Sequence, residues 1–212
     1  MSSEVATGTN RAEIANSVSH GLGLLAALAA LPLLVTSAAR RGSVAAVVGA
    51  SVFSATLVLL YLCSTLYHAL PGPKAKRVLR VLDHAAIFLL IAGTYTPFTL
   101  GVLSGVWGQS LLTVVWVLAI AGVVLEVVGG MRFPRLSMAL YLGMGWLVLT
   151  AIRPLWQLME PWGLFWLIAG GLAYTSGVAF YAAKRLPHAH LVWHLFVIAG
   201  SACHTIAVLE YS

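Results

Sequence analysis

At 212 residues the chain has the length of one ordinary domain, yet 60% of it is apolar and 8% charged, against about 45–50% and about 25% in soluble proteins. Twelve basic and six acidic side chains are too few to clothe a water-soluble surface of this size, so most of the surrounding solvent must be lipid. The net charge of +6 does not indicate nucleic acid, because Lys and Arg stand in short clusters between apolar runs and form no basic stripe.

Residues 1–12 form a polar tail rich in Ser and Thr. It lacks the apolar core of a cleavable signal, so the first span is expected to stay in the mature protein. Residues 13–212 are expected to form one membrane domain. A bilayer core takes about 20 apolar residues per helix. That ruler marks seven spans, at about Ser17–Ala39, Ser43–Leu70, Asp83–Leu103, Gly108–Gly130, Leu136–Ile152, Trp162–Ala183 and His190–Glu210. The connections are short and carry charge, Pro or Gly, as in Arg40-Arg41-Gly42, Pro71-Gly72-Pro73-Lys74 and Arg132-Phe133-Pro134-Arg135. The sequence therefore predicts an all-α, seven-transmembrane helix bundle.

Charge sets its orientation. With the N-terminus cytoplasmic, the inner segments hold Arg11, Lys74, Lys76, Arg77, Arg80, Arg132, Arg135, Lys184 and Arg185, and the outer ones only Arg40, Arg41 and Arg153. This positive-inside bias places the C-terminus outside, in the cell (plasma) membrane. Trp107, Trp156, Trp162 and Trp193 near span ends fit an aromatic belt. Thr94-Tyr95-Thr96-Pro97 suggests a kink that opens space between helices. Cys63 and Cys203 stand singly in apolar runs and read as small buried residues.

Alternating span directions bring ionisable groups from four helices into one layer. His20 lies near the inner end of span one and His68 near that of span two; Asp83 and His84 open span three, and His190 and His194 open span seven. His190 and His194, at i and i+4, share a helix face and can reach one metal ion. His68 supplies a third imidazole at the same depth, with Ser64 one turn earlier. Three histidines and an open fourth position are a catalytic zinc pattern. Asp83 has two readings. It caps span three and pairs with Arg80, or it holds a metal-bound water for attack as a general base. His204, ten residues past His194 and roughly 15 Å along the helix, is too deep to share the ion and reads as an interior histidine. His20 reads as either an orienting or a packing residue. His84 and His188 read as solvated or interfacial, and Glu126 as a structural residue within reach of Arg132.

At these positions the chain resembles the hemolysin III branch of the progestin and adipoQ receptor family, over nearly its whole length. The motifs are Glu13-x-x-Asn16-x-x-Ser19-His20, with Ser19 where Thr is usual, Ser64-x-x-x-His68, Leu82-Asp83 and His190-x-x-x-His194 with His204 beyond. The resemblance implies a seven-helix bundle holding Zn²⁺ on His68, His190 and His194. It also implies a zinc-bound water hydrogen-bonded to Asp83, with Ser64 close by. The wider superfamily includes alkaline ceramidases, which implies hydrolysis of a lipid amide. The branch is named for a haemolytic activity. The leading expectation is thus a zinc-dependent intramembrane hydrolase of a lipid-like amide or ester. A pore-forming protein or a lipid sensor with a structural zinc is the alternative. Its expected partners are membrane lipids, with substrate entering sideways from the inner leaflet; oligomeric state is left open.

Overall fold

The computed structural model describes residues 2–183 and 185–212, with side chains from residue 11 onward. Lys184, one of the charges used for orientation, and the side chains of most of the polar tail lie outside the described residues. The elements are α1 (Ser2–Arg40), α2 (Val44–Ala69), α3 (Pro73–Leu100), α4 (Val106–Gly129), α5 (Pro134–Gly145), a 3₁₀ turn (Leu147–Ala151), α6 (Ile152–Leu158), α7 (Pro161–Ala182) and α8 (Ala189–Tyr211). Seven segments are long and apolar enough to cross a bilayer, with α5, the 3₁₀ turn and α6 together making the fifth, Pro134–Leu158. The chain is a multi-pass helical membrane protein.

Local chemistry sets the boundaries. Pro73, Pro134 and Pro161 sit in the first turns of α3, α5 and α7, where no N–H is needed. Ser43 caps α2 by accepting the Ala46 N–H at 3.3 Å. Gly130 closes α4 in the left-handed conformation, φ +57°, and returns its N–H to the Glu126 carbonyl at 2.9 Å. One boundary departs from the sequence reading: α3 begins at Pro73 and not at Asp83. The basic stretch from Lys74 to Arg80 reads as a loop on hydropathy. It is the first two turns of α3, since charge opposes burial in hydrocarbon but not helix formation.

The helices form a ring. α1 packs on α2 and α8, α2 on α3, α3 on α4, and α7 on α8, while the fifth span sits loosely between α4 and α7. The order α4–α3–α2–α1–α8–α7 brings the first and last helices side by side. The Arg41 guanidinium fastens that closure by donating to the carbonyls of Leu209, at 3.2 Å, and Val208, at 3.4 Å, at the end of α8.

Polarity is arranged for lipid. Leu22, Leu25 and Leu33 on α1 and Val117, Ile120 and Val124 on α4 face outward, while Asn16, Ser54, Thr56, Ser64, Thr96 and Ser201 are buried. Without a hydrophobic drive between helices, close backbone approach holds the bundle. A Cβ on Gly49 would meet Pro97 Cα at 2.5 Å, and one on Gly93 would meet Thr56 Oγ1 at 2.1 Å. Pro97 thus falls in the last turn of α3, locked against α2. Trp107, Trp156 and Trp162 are exposed as a belt requires. Trp193 is not: its indole packs over Gly177, within the α7–α8 contact.

The fifth span is broken, and Tyr95 repairs the break. Its hydroxyl reaches the carbonyls of Met144 at 2.8 Å and Gly145 at 3.1 Å and accepts the Val148 N–H at 2.8 Å. Backbone groups freed by a break at membrane depth need such partners.

Candidate metal centre

His68 occupies the last turn of α2, and His190 and His194 the first turns of α8. Each offers a ring nitrogen, and the three lie within 4.8 Å of one another. His68 Nε2 and His190 Nε2 are 3.2 Å apart. Two nitrogens each about 2.05 Å from a tetrahedral zinc stand about 3.3 Å apart, so this edge has the length one ion requires. The ring centroids of His190 and His194 are 4.6 Å apart, and those of His68 and His194 5.1 Å.

Hydrogen bonding at the far side of His194 fixes its tautomer. The Ser19 hydroxyl donates to the Asn16 carbonyl at 2.8 Å, so its oxygen can only accept from His194 Nδ1, 3.0 Å away. The Asn16 carbonyl, 3.3 Å from the same nitrogen, is likewise an acceptor. Nδ1 therefore carries the proton and Nε2 is left with its lone pair, as a ligand needs. Behind His68, the Glu13 carboxylate stands 3.4 Å from Nδ1. That is an electrostatic contact and not an aligned hydrogen bond, and it favours the same tautomer. Glu13 is itself held by Lys76, whose ammonium also lies 3.4 Å from the His68 carbonyl. The 3.2 Å between His68 Nε2 and His190 Nε2 is bridged by a proton when one ring donates, and is short enough for one cation when both present lone pairs. The donor set fits a metal ion.

Glu13, Asn16 and Ser19 were quoted above only as part of a pattern, without roles. Spaced i, i+3 and i+6, they share one face of α1 and form the backing of the histidine group. The signal was a run of polar residues at helical spacing entering an apolar span.

Asp83 is buried in the third turn of α3. It is no helix cap. Arg80 is exposed and makes no ion pair with it among the described residues, and the helix begins nearly three turns before the position expected for its start. Its neighbours are the Ser64 hydroxyl of α2, one turn before His68, and His84 Nδ1 at 3.9 Å. His84 is not solvated either. Its Nδ1 donates to the Arg80 carbonyl at 2.9 Å, which leaves Nε2 to accept the Tyr181 hydroxyl at 3.1 Å. His188 does stay exposed, in the turn before α8. Glu126 is buried and pairs with no arginine among the described residues; Tyr141 is its polar neighbour.

All of these groups except Glu126 and His188 border or back one cavity, whose space free of protein atoms, counted with its open side, is about 1050 Å³. At one end it holds His190, His194, Asp83, Ser64 and His84, and the rest of its wall is mainly apolar and reaches Tyr95, Trp146, Tyr174 and His204. His20 also lines it. The His20 ring stacks on His194, with centroids 3.5 Å apart and planes 14° off parallel, and meets Tyr61 edge-on at 5.1 Å. Neither His20 nitrogen has a hydrogen-bond partner among the described residues.

A family model described as Haemolysin-III related matches residues 9–205. The chain is 43% identical over 199 residues to Hemolysin-3 of Bacillus cereus, spanning 94% of this chain and 91% of that protein. It is 44% identical over 203 residues to the Hemolysin-3 homolog of Bacillus subtilis (strain 168), spanning 96% and 95%. A more distant relative is the human Monocyte to macrophage differentiation factor, 27% identical over 169 residues, spanning 76% of this chain and 68% of that one.

Proposed function

This chain belongs to the haemolysin-III related family, and on that footing we propose that it is a zinc-dependent intramembrane hydrolase of a lipid-like amide or ester. The observation that carries the reading is the convergence of three imidazole nitrogens, backed by Ser19, Asn16 and Glu13, beside a largely apolar cavity that also holds a buried carboxylate.

His68, His190 and His194 would be the ligands. Bound Zn²⁺ supplies a water activated near neutral pH and polarises a carbonyl. Asp83 takes the proton from the attacking water and returns it to the leaving amine or alcohol. Ser64, beside that carboxylate, keeps it turned toward the cavity. His84 is held by Arg80 and Tyr181 and completes the polar layer. The apolar depth of the cavity takes the hydrocarbon chain, and substrate enters sideways from the membrane.

Topology supports this use. The polar layer lies at the bundle end that carries Lys74, Lys76, Arg77, Arg80, Arg132, Arg135 and Arg185, so the positive-inside rule puts it at the cytoplasmic face with the N-terminus inside. In the plasma membrane, water from the cytoplasm reaches that depth.

A second reading has a specific observation in its favour. His68 and the two α8 histidines belong to helices whose backbones meet mainly through α1, so zinc could serve only to tie α2 to α8, in a pore-forming protein or a lipid sensor. The names of two relatives, Hemolysin-3 and Hemolysin-3 homolog, fit the pore. One set of measurements separates these readings: elemental analysis, free fatty acid release from a panel of N-acyl and O-acyl lipids, and liposome leakage. The hydrolase reading expects Asp83→Asn to keep zinc and lose turnover, and His68→Ala to lose both. Leakage from wild-type protein with no turnover of any lipid would favour the pore.

A further inference from the structure

The cavity adjoins a second chamber, of about 730 Å³ counted with its open side, between Phe98 of α3, Leu155 of α6 and Leu164 and Ile168 of α7. Six residues border both spaces: Thr94 and Tyr95 of α3, Gly145 and Trp146 at the break in the fifth span, Gly171 of α7 and His204 of α8. The two chambers therefore meet at one level of the bundle. Trp146 has the bulkiest side chain at that level.

Trp146 is held at both ends. Its backbone lies inside the break, between the Gly145 carbonyl and the Val148 N–H, which the Tyr95 hydroxyl binds at 3.1 and 2.8 Å. Its side chain crosses to α7. The indole N–H donates to Thr175 Oγ1 at 3.0 Å, and that hydroxyl gives its own proton to the Gly171 carbonyl at 2.8 Å, so its oxygen accepts. The far edge of the ring stands over Gly171, where a Cβ would come within 3.8 Å of it. Gly171 and Thr175 are one turn apart, so the indole lies along that turn of α7. The fifth span otherwise sits loosely beside α7. The ring is thus a fixed bar across the junction of the chambers.

Position along the helices gives the depth of this bar. On α3, Tyr95 lies twelve residues, or about 18 Å, beyond Asp83; on α8, His204 lies ten residues, or about 15 Å, beyond His194. With C–C bonds of about 1.5 Å, an extended alkyl chain advances about 1.3 Å per carbon. A chain whose head lies in the polar layer therefore reaches the junction after about 12 to 14 carbons.

We propose that Trp146 sets the length of hydrocarbon chain that the cavity accepts. A straight acyl chain of about 12 to 14 carbons fills the first chamber from the polar layer to the indole, and the indole bars longer chains from the second. The inference rests on the reading that this cavity binds lipid chains, and it adds the class of chain. It does not require that the bound lipid be hydrolysed.

A series of saturated fatty acids of about 8 to 20 carbons, spanning the length worked out above, tests it. Each displaces a labelled dodecanoic acid from the purified full-length protein in a sterol-based detergent, which has no straight chain to compete. The ratio of Trp146→Ala to wild-type affinity at each length cancels partition into the detergent. It is expected to stay near one up to about 12 carbons and to reach at least about tenfold at 18, since each CH₂ without a place in the chamber forfeits up to about fourfold. Ile168→Trp narrows only the second chamber; alone it should leave the wild-type profile as it is, and in the Trp146→Ala background it should remove the gain for long chains. It also keeps the test sound should Trp146→Ala fail to fold, because chains that already pass the indole would be lost in Ile168→Trp alone. A ratio constant across lengths, loss of long-chain binding in Ile168→Trp alone, or no binding of any fatty acid by wild-type protein overturns the proposal. Lipid turnover with a constant ratio removes this inference and leaves the hydrolase reading; a length-dependent ratio without turnover does the reverse.

Discussion

Replacing Ser19 by Ala removes one hydroxyl from the back of His194 and no atom from the ligand set. In the wild-type chain His194 Nδ1–H has two acceptors, Ser19 Oγ at 3.0 Å and the Asn16 carbonyl at 3.3 Å. The variant keeps only the longer one, and the ring gains freedom to turn and to shift its proton to the nitrogen that should face the ion. Loss of an outer-shell partner of a ligating histidine typically lowers metal affinity about 10–100-fold, or about 1.4–2.7 kcal/mol. The remaining Asn16 contact places Ser19→Ala toward the lower half of that range. Competition against a chelator of known affinity, with zinc followed by elemental analysis, gives the ratio directly. Ser19→Thr, which restores the hydroxyl, should recover affinity. A variant with Ala at 19 that binds zinc as tightly as wild-type protein would refute the assignment of Nδ1 as the proton-bearing nitrogen, and with it the account of how α1 supports the site.

Glu13→Gln weakens the carboxylate contact behind His68 and the ion pair with Lys76; zinc affinity should fall, and combined with Ser19→Ala the losses should depart from additivity, since both act through one ion on adjacent ligands. Chelation should lower the apparent melting temperature in detergent, because a bound ion at 100 times its Kd contributes about 2.7 kcal/mol; an unchanged melting curve would mean that no ion ties α2 to α8. Gly93→Ala forces a methyl onto Thr56 Oγ1 at 2.1 Å and should cost about 1–3 kcal/mol by overpacking, whereas Gly143→Ala, with nothing within 4 Å, should leave thermal stability as it is. Tyr95→Phe removes the hydroxyl that bridges Met144 and Val148; faster hydrogen exchange confined to the fifth span is the expected result.

What the sequence made legible followed from two periodicities. Bilayer thickness marked the spans, and alternation of their direction placed His68, His190, His194 and Asp83 at one end before any geometry was known. The i, i+4 spacing did the rest for α8. Reading failed where hydropathy and helicity part company. The segment from Lys74 to Arg80 is too charged for hydrocarbon but perfectly able to be helix, so the start of α3 was set ten residues late and Asp83 was open to a reading as a cap. His84, which reads as solvated or interfacial from the sequence, follows Asp83 by about 100° on a helical wheel, yet both line one cavity. The supporting roles of Glu13, Asn16 and Ser19 depend on α1 lying against α8, and no local pattern announces a contact between the two ends of a chain.

That contact bears on how the protein is made. Helices are delivered to the membrane in order, and the backing for His194 arrives with the first of them, while His190 and His194 themselves arrive with the last. A nascent chain halted after α7 holds His68 alone among the three, so on the proposed zinc reading an ion is captured only once insertion is finished and the ring has closed. Loading with zinc would then report on completed assembly, and a ribosome-bound intermediate, however much helix it already contains, should hold none.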